Sequence, residues 1–106
     1  NVLLAEDDCV DAVNVLRHRS LTTGKVMASF ADFKLARSLV AAKANIAAGA
    51  SQCANTAATI AAADALLIAV GYDGVNGKLR NSKNDGYSEA LQLHGILDAY
   101  NNNICF

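Results

Sequence analysis

Residues 43–71 read KANIAAGASQCANTAATIAAADALLIAVG, and the parsing of this alanine-rich stretch decides the fold. It admits three readings: a membrane span, a low-complexity tract, or two helices meeting at a turn. The longest apolar run, Ala57 to Val70, is interrupted by Thr59 and Asp64. A bilayer span needs about 20 apolar residues, so this run is too short to cross. Low-complexity silk would lack periodic stepping. Here Ala57, Ile60, Ala63, Leu67 and Val70 advance by three and four, along one face of an α-helix. Gly49-Ala50-Ser51 supplies punctuation, a glycine to end one helix and a serine to cap the next. The stretch is therefore the end of one helix, a tight turn, and a second helix over 52–70 that returns antiparallel and stops at Gly71.

The same chemistry extends outward on both sides. Upstream, Ser29-Phe30-Ala31-Asp32 resembles a capping box, with aspartate in place of the usual glutamate. Phe30, Phe33, Val40 and Ala44, joined by Leu35, Leu39 and Ile46, predict a helix over 30–48. Further upstream, three acids (Glu6, Asp7, Asp8) precede Arg17, His18 and Arg19, the charge order a helix dipole prefers. Val10, Val13 and Leu16, with Cys9 and Ala12, form the apolar stripe of a helix over 5–19. Downstream, GYDGVNGKLRNSKNDGY (71–87) is rich in turn pairs, and Asn76-Gly77 suits a small hairpin. Ser88 then caps a last helix over 88–101, with Ala90, Leu93, Leu97 and Tyr100 on one face. The expected architecture is all-α, a single domain over 1–106. It is an up-down-up-down four-helix bundle with one long turn-rich loop between helices three and four.

Composition narrows the function classes. The 106 residues are 53% hydrophobic but only 6% aromatic, because alanine supplies much of the apolar count. Alanine favours helix strongly and gains little from burial, so the helices must pack closely. A formal net charge of −1 argues against a nucleic-acid binder, whose domain is normally basic. Three cysteines without Cys-x-x-Cys spacing argue against zinc. Their odd number in a small chain that begins at Asn1 favours one internal disulfide, one spare thiol and a secreted protein; a reduced cytoplasmic protein is the runner-up.

No stretch carries a catalytic, cofactor or metal motif. NVLLAEDD (1–8) resembles the start of a phosphoacceptor receiver domain, which implies a strand ending in paired magnesium-holding acids. A receiver also needs alternating strands and helices, a later phosphoacceptor aspartate and a lysine after a further strand, and the chain offers none of these. Asp73 onward fails as a calcium loop, since Val75, Lys78 and Asn84 occupy positions that need an oxygen ligand, a glycine and an acid. His94, one helical turn before Asp98, reads as a half-buried structural histidine.

Charge and cysteine placement say more. In the expected bundle, Arg17, Arg19, Lys25, Lys78, Arg80 and Lys83 gather at one end, and Glu6, Asp7 and Asp8 at the other. Chain direction brings Cys9, Cys53 and Cys105 together at the acidic end. Helices one and three are diagonal in a square bundle, too far apart for the Cα spacing of about 4.4–6.8 Å that a disulfide needs. That leaves Cys53–Cys105 or Cys9–Cys105. The first closes the long loop and is the expected bridge, with Cys9 free or cross-linked to a partner. These features predict a non-catalytic interaction or structural module, binding a protein partner or itself through the basic loop end and the spare cysteine. A carrier of small apolar ligands is the alternative. A small hydrolase, which would need a nucleophile beside a base, and a receiver-like fragment rank below it.

Overall fold

The structure is a computed structural model and describes residues 29–105. Within them the chain forms three helices and no strand: α1 (Ala31–Ala47), α2 (Thr56–Val70) and α3 (Tyr87–Asn101). These correspond to the helices expected over 30–48, 52–70 and 88–101. The helix expected over 5–19 lies outside the described residues.

The four-helix bundle is corrected by what the three helices do. In a square bundle with sequential neighbours, α1 and α3 would be diagonal and would hardly touch. They form the most extensive interface instead, with α2 laid against both. Side-chain size explains the change. α1 contributes Leu35, Leu39 and Val40, and α3 contributes Leu93, Leu97 and Tyr100, to one buried cluster. Two polar pairs fix the register of this seam. Ser38 meets His94, and Asn45 Nδ2 donates to Asn101 Oδ1 at 3.0 Å. Both partners advance by the same number of residues, so α1 and α3 run parallel and α2 runs against them.

α2 gains less from burial; only Thr56, Thr59, Ala63 and Leu67 are buried along it. Other contacts hold it. Lys43 Nζ of α1 donates to both carboxylate oxygens of Asp64, at 2.8 and 3.0 Å. Cys53, just before α2, is joined to Cys105 with a Cα separation of 5.6 Å, which is the expected pairing. Its far end stops at Gly71, whose φ of 76° is the left-handed conformation that closes helices.

The helix starts differ from the capping expected. α2 begins at Thr56 because residues 53–56 form a turn, with Cys53 N donating to Thr56 Oγ1 and Thr56 N to Cys53 O. α3 begins at Tyr87 after Gly86, and Ser88 is not its cap. The Ser29–Asp32 box does not close either. No side chain caps α1, and Asp32 is turned toward the loop before α3.

Candidate functional site

The loop over 71–86 joins α2 to α3 at the end of the molecule where α1 begins. A loop this long in a small domain requires its own backbone bonds, and its Asp and Asn side chains make them. Asp73 Oδ1 accepts from Val75 N and Asn76 N at 2.8 and 3.0 Å. Asn84 Oδ1 accepts from Arg80 N and Asn81 N, and Asn81 Oδ1 from Lys83 N. Short polar side chains thereby replace the ladder a hairpin would have supplied. The hairpin expected at Asn76-Gly77 is absent among the described residues. Gly77 is needed for another reason: a Cβ there would overlap the Phe30 ring.

The loop is tied to the core at one place. Leu79 is buried, its carbonyl accepts from Ala31 N at 2.8 Å, and its N–H donates to Asp32 Oδ1 at 3.2 Å. Lys78 N donates to the other Asp32 oxygen at 3.0 Å. Asp32 is fully buried. Desolvation raises its carboxyl above the usual range, against the lowering effect of these N–H donors. Asp73 is the opposite case. It is exposed, and its loop hydrogen bonds hold it below the usual range. Tyr72, next to Asp73 in the chain, packs edge-on against Phe33, with ring centroids 5.4 Å apart. Burial, and then the negative charges of Asp32 and Asp73, push its phenol far up.

This anchoring leaves Lys78, Arg80 and Lys83 exposed on a braced loop. Of the residues the sequence singled out for partner binding, these three are brought together here. Arg17, Arg19 and Lys25 lie outside the described residues, as does Cys9. Acids share the same end: Asp73, 3.8 Å from the Lys78 ammonium, and the exposed Asp85 and Glu89. Counting only cations in this segment missed them, although Asp73, Asp85 and Glu89 were legible in the sequence. Between the loop and α2 runs an open groove of about 460 Å³. It is lined by the apolar Leu66, Ala69, Val70 and Leu79 and by the charged Lys78, Asp85 and Glu89.

A second polar cluster sits on the α1–α3 seam. Ser38 Oγ lies 2.6 Å from His94 Nδ1, beside a cleft of about 210 Å³ that Ser38 and Asp98 line. Desolvation holds His94 below the usual imidazole range, although Asp98 opposes it. The ring is therefore neutral near pH 7 and Nδ1 can accept the serine proton. This is a nucleophile beside a base, which the sequence did not single out because Ser38 falls inside an apolar helical pattern. Its surroundings are unsuited to acyl transfer. Ser38 is buried in mid-helix, where backbone N–H groups are already used and cannot form an oxyanion hole. Asn101 Nδ2, which also lines the cleft, donates to the Ser38 carbonyl at 3.1 Å.

Among the described residues no group of three or more His, Cys, Asp or Glu is placed to hold a metal ion. No helix among them is long and apolar enough to cross a membrane. Compared with known proteins, the chain matches no family model, no curated protein and no solved structure.

Proposed function

We propose that the protein is a non-catalytic interaction module that binds a protein partner, or another copy of itself, through the loop end. The observation that carries this reading is the braced loop. Asp32, Asp73, Asn81 and Asn84 hold its backbone while Lys78, Arg80 and Lys83 remain exposed. A surface ordered before binding loses less conformational entropy on association. The Cys53–Cys105 pairing supports work in an oxidising compartment, hence a secreted protein, with Cys9 as the spare thiol. A carrier of small apolar ligands has less support, since Ala63, in the middle of the apolar stripe of α2, is fully buried by packing.

The test is titration of the full chain with a polyglutamate peptide at low salt. Wild type should bind. The combined variant Lys78→Gln, Arg80→Gln, Lys83→Gln should not, and its thermal melt should be unchanged because exposed charges contribute little to stability. Equal binding by both proteins would reduce the loop cations to ordinary solvation.

The Ser38–His94 pair favours one second reading, a small serine hydrolase. Labelling with a fluorophosphonate probe decides it. Modification at Ser38, lost in His94→Ala, would establish a reactive serine. The buried mid-helix position predicts none.

A further inference from the structure

We infer that the Asn76-Gly77 bond is a modification site: Asn76 deamidates spontaneously in the folded protein, with the help of the Gly77 backbone nitrogen, to aspartyl and isoaspartyl forms. This chemistry is independent of what the loop end binds.

Three observations single out this bond. Asn76 is exposed, and its carboxamide makes no hydrogen bond among the described residues. The Gly77 N–H has no acceptor among them either. Packing requires the glycine, since a Cβ at 77 would overlap the Phe30 ring, and a residue without Cβ leaves its own nitrogen open to close approach. The loop's other two asparagines are placed differently. Asn84 Oδ1 accepts from Arg80 N and Asn81 N, and Asn81 Oδ1 accepts from Lys83 N. Each would have to give up these bonds to turn its carboxamide toward the following N–H. The residues that follow them, Ser82 and Asp85, also carry side chains that crowd the approach.

The reaction needs only water. Hydroxide removes the Gly77 N–H proton, and the nitrogen attacks Asn76 Cγ. A bond forms from Gly77 N to Cγ, the bond from Cγ to Nδ2 breaks, and the amide nitrogen leaves as ammonia with a proton from water. The product is a five-membered succinimide. Water opens it at either carbonyl. Opening at Cγ leaves aspartate at 76 with the original backbone, and opening at the main-chain carbonyl leaves an isoaspartyl link through the side chain. One water is consumed, one ammonia is released, and nothing is oxidised or reduced. Either product is a carboxylate at neutral pH, which adds one negative charge to a chain of formal net charge −1.

The bond lies between the two clamps that brace the loop. Asp73 holds the N–H groups of Val75 and Asn76 before it, and Asp32 holds those of Lys78 and Leu79 after it. An isoaspartyl link inserts one carbon into the backbone between them and alters the spacing that both clamps fit. The new charge also comes two residues before Lys78, so the loop turns less basic as the protein ages.

Peptide mapping of the full chain tests the inference. The protein is held well below its melting temperature, at mildly acidic and at mildly alkaline pH, beside a free peptide of residues 71–87. Asn76 should convert ahead of Asn81 and Asn84, faster at the alkaline pH, with ammonia released and isoaspartate detected by enzymatic methylation. Isoelectric focusing should show the gain of one negative charge. Asn76→Gln, whose carboxamide lies one carbon further from the backbone, should lose that shift. An Asn76 still intact in the protein when the peptide has converted would show that the fold blocks the attack, and would overturn the inference. Equal conversion at Asn76, Asn81 and Asn84 would overturn it as well.

Discussion

α1 and α2 are similar in length and both rich in alanine, yet they are held by different physics. α1 buries nine of its 17 residues, and α2 buries four of 15. In α1 the large apolar side chains recur on one side, while Lys34 and Arg37 fall where the pattern breaks. The pattern itself selects the buried face. In α2 almost every position is apolar, so composition prefers no face, and small side chains gain little from any of them. Its orientation comes from discrete ties: the disulfide before it, Asp64 within it and the glycine stop after it. A helix without a face is placed by its attachments.

The largest expected effect breaks the seam that α1 and α3 share. Leu97→Ala removes a fully buried side chain facing α1 and should cost about 2–5 kcal/mol in denaturant unfolding. A loss well under that range would mean that the seam collapses around the cavity and is less tightly packed than α1's burial implies.

Next comes the first of α2's ties. Cys53→Ser with Cys105→Ser opens a ring that spans 52 residues of sequence, and should cost about 2–4 kcal/mol. If α2 is placed by its attachments, hydrogen exchange in the double variant should rise in α2 more than in α1. Uniform loss of protection would refute that division.

Ala63→Leu sharpens the comparison from within α2. Ala63 is fully buried, so added side-chain volume should cost about 1–3 kcal/mol in thermal or denaturant melts. A neutral result would show spare room beside α2 and would strengthen the ligand-carrier alternative.

The smallest effect concerns the anchor that α1 gives the loop, and it is read against pH. The carboxyl of Asp32 is raised above 3.8, so the folded state holds its proton more tightly than the unfolded chain does. Its contribution is fully present below 3.8 and is lost as pH rises through the raised folded value. Asp73, lowered from 3.8, acts in the opposite sense: its contribution is present above 3.8 and is lost as pH falls through its folded value. Asp32→Asn should remove only the first dependence. Melting temperatures of wild type and variant, compared across this acid range, should diverge with the sign given; parallel curves would show that Asp32 is not desolvated.

The sequence made three helices legible because their signals are local. Leu93, Leu97 and Tyr100 recur at helical spacing and are all buried, and Gly71 ends its helix as its position implied. The pairing of Cys53 with Cys105 was readable only in part: chain direction brings all three cysteines to one end, and the choice among them leaned on the long loop the bridge closes and on a square bundle that the structure overturns. The arrangement of helices was not readable in this way. Which helix faces which depends on relative side-chain bulk, and an expected square bundle hid the α1–α3 seam. Asp32 shows the other limit. Its spacing from Ser29 suits a helix cap, but two N–H groups at positions 78 and 79 captured the carboxylate, and no local pattern reports a partner so distant. The loop cations were visible while the groove beside them was not, because Leu66 and Leu79 come together only after folding.

The Cys53–Cys105 bridge also changes what a protease would produce. The whole loop, with its exposed cations, lies inside the covalent ring that the bridge closes. A single cut between Gly71 and Gly86 leaves two pieces that migrate together until a reductant parts them. Both flanking helices stay attached to the nicked chain, so cleavage would open the loop without releasing either half of the protein.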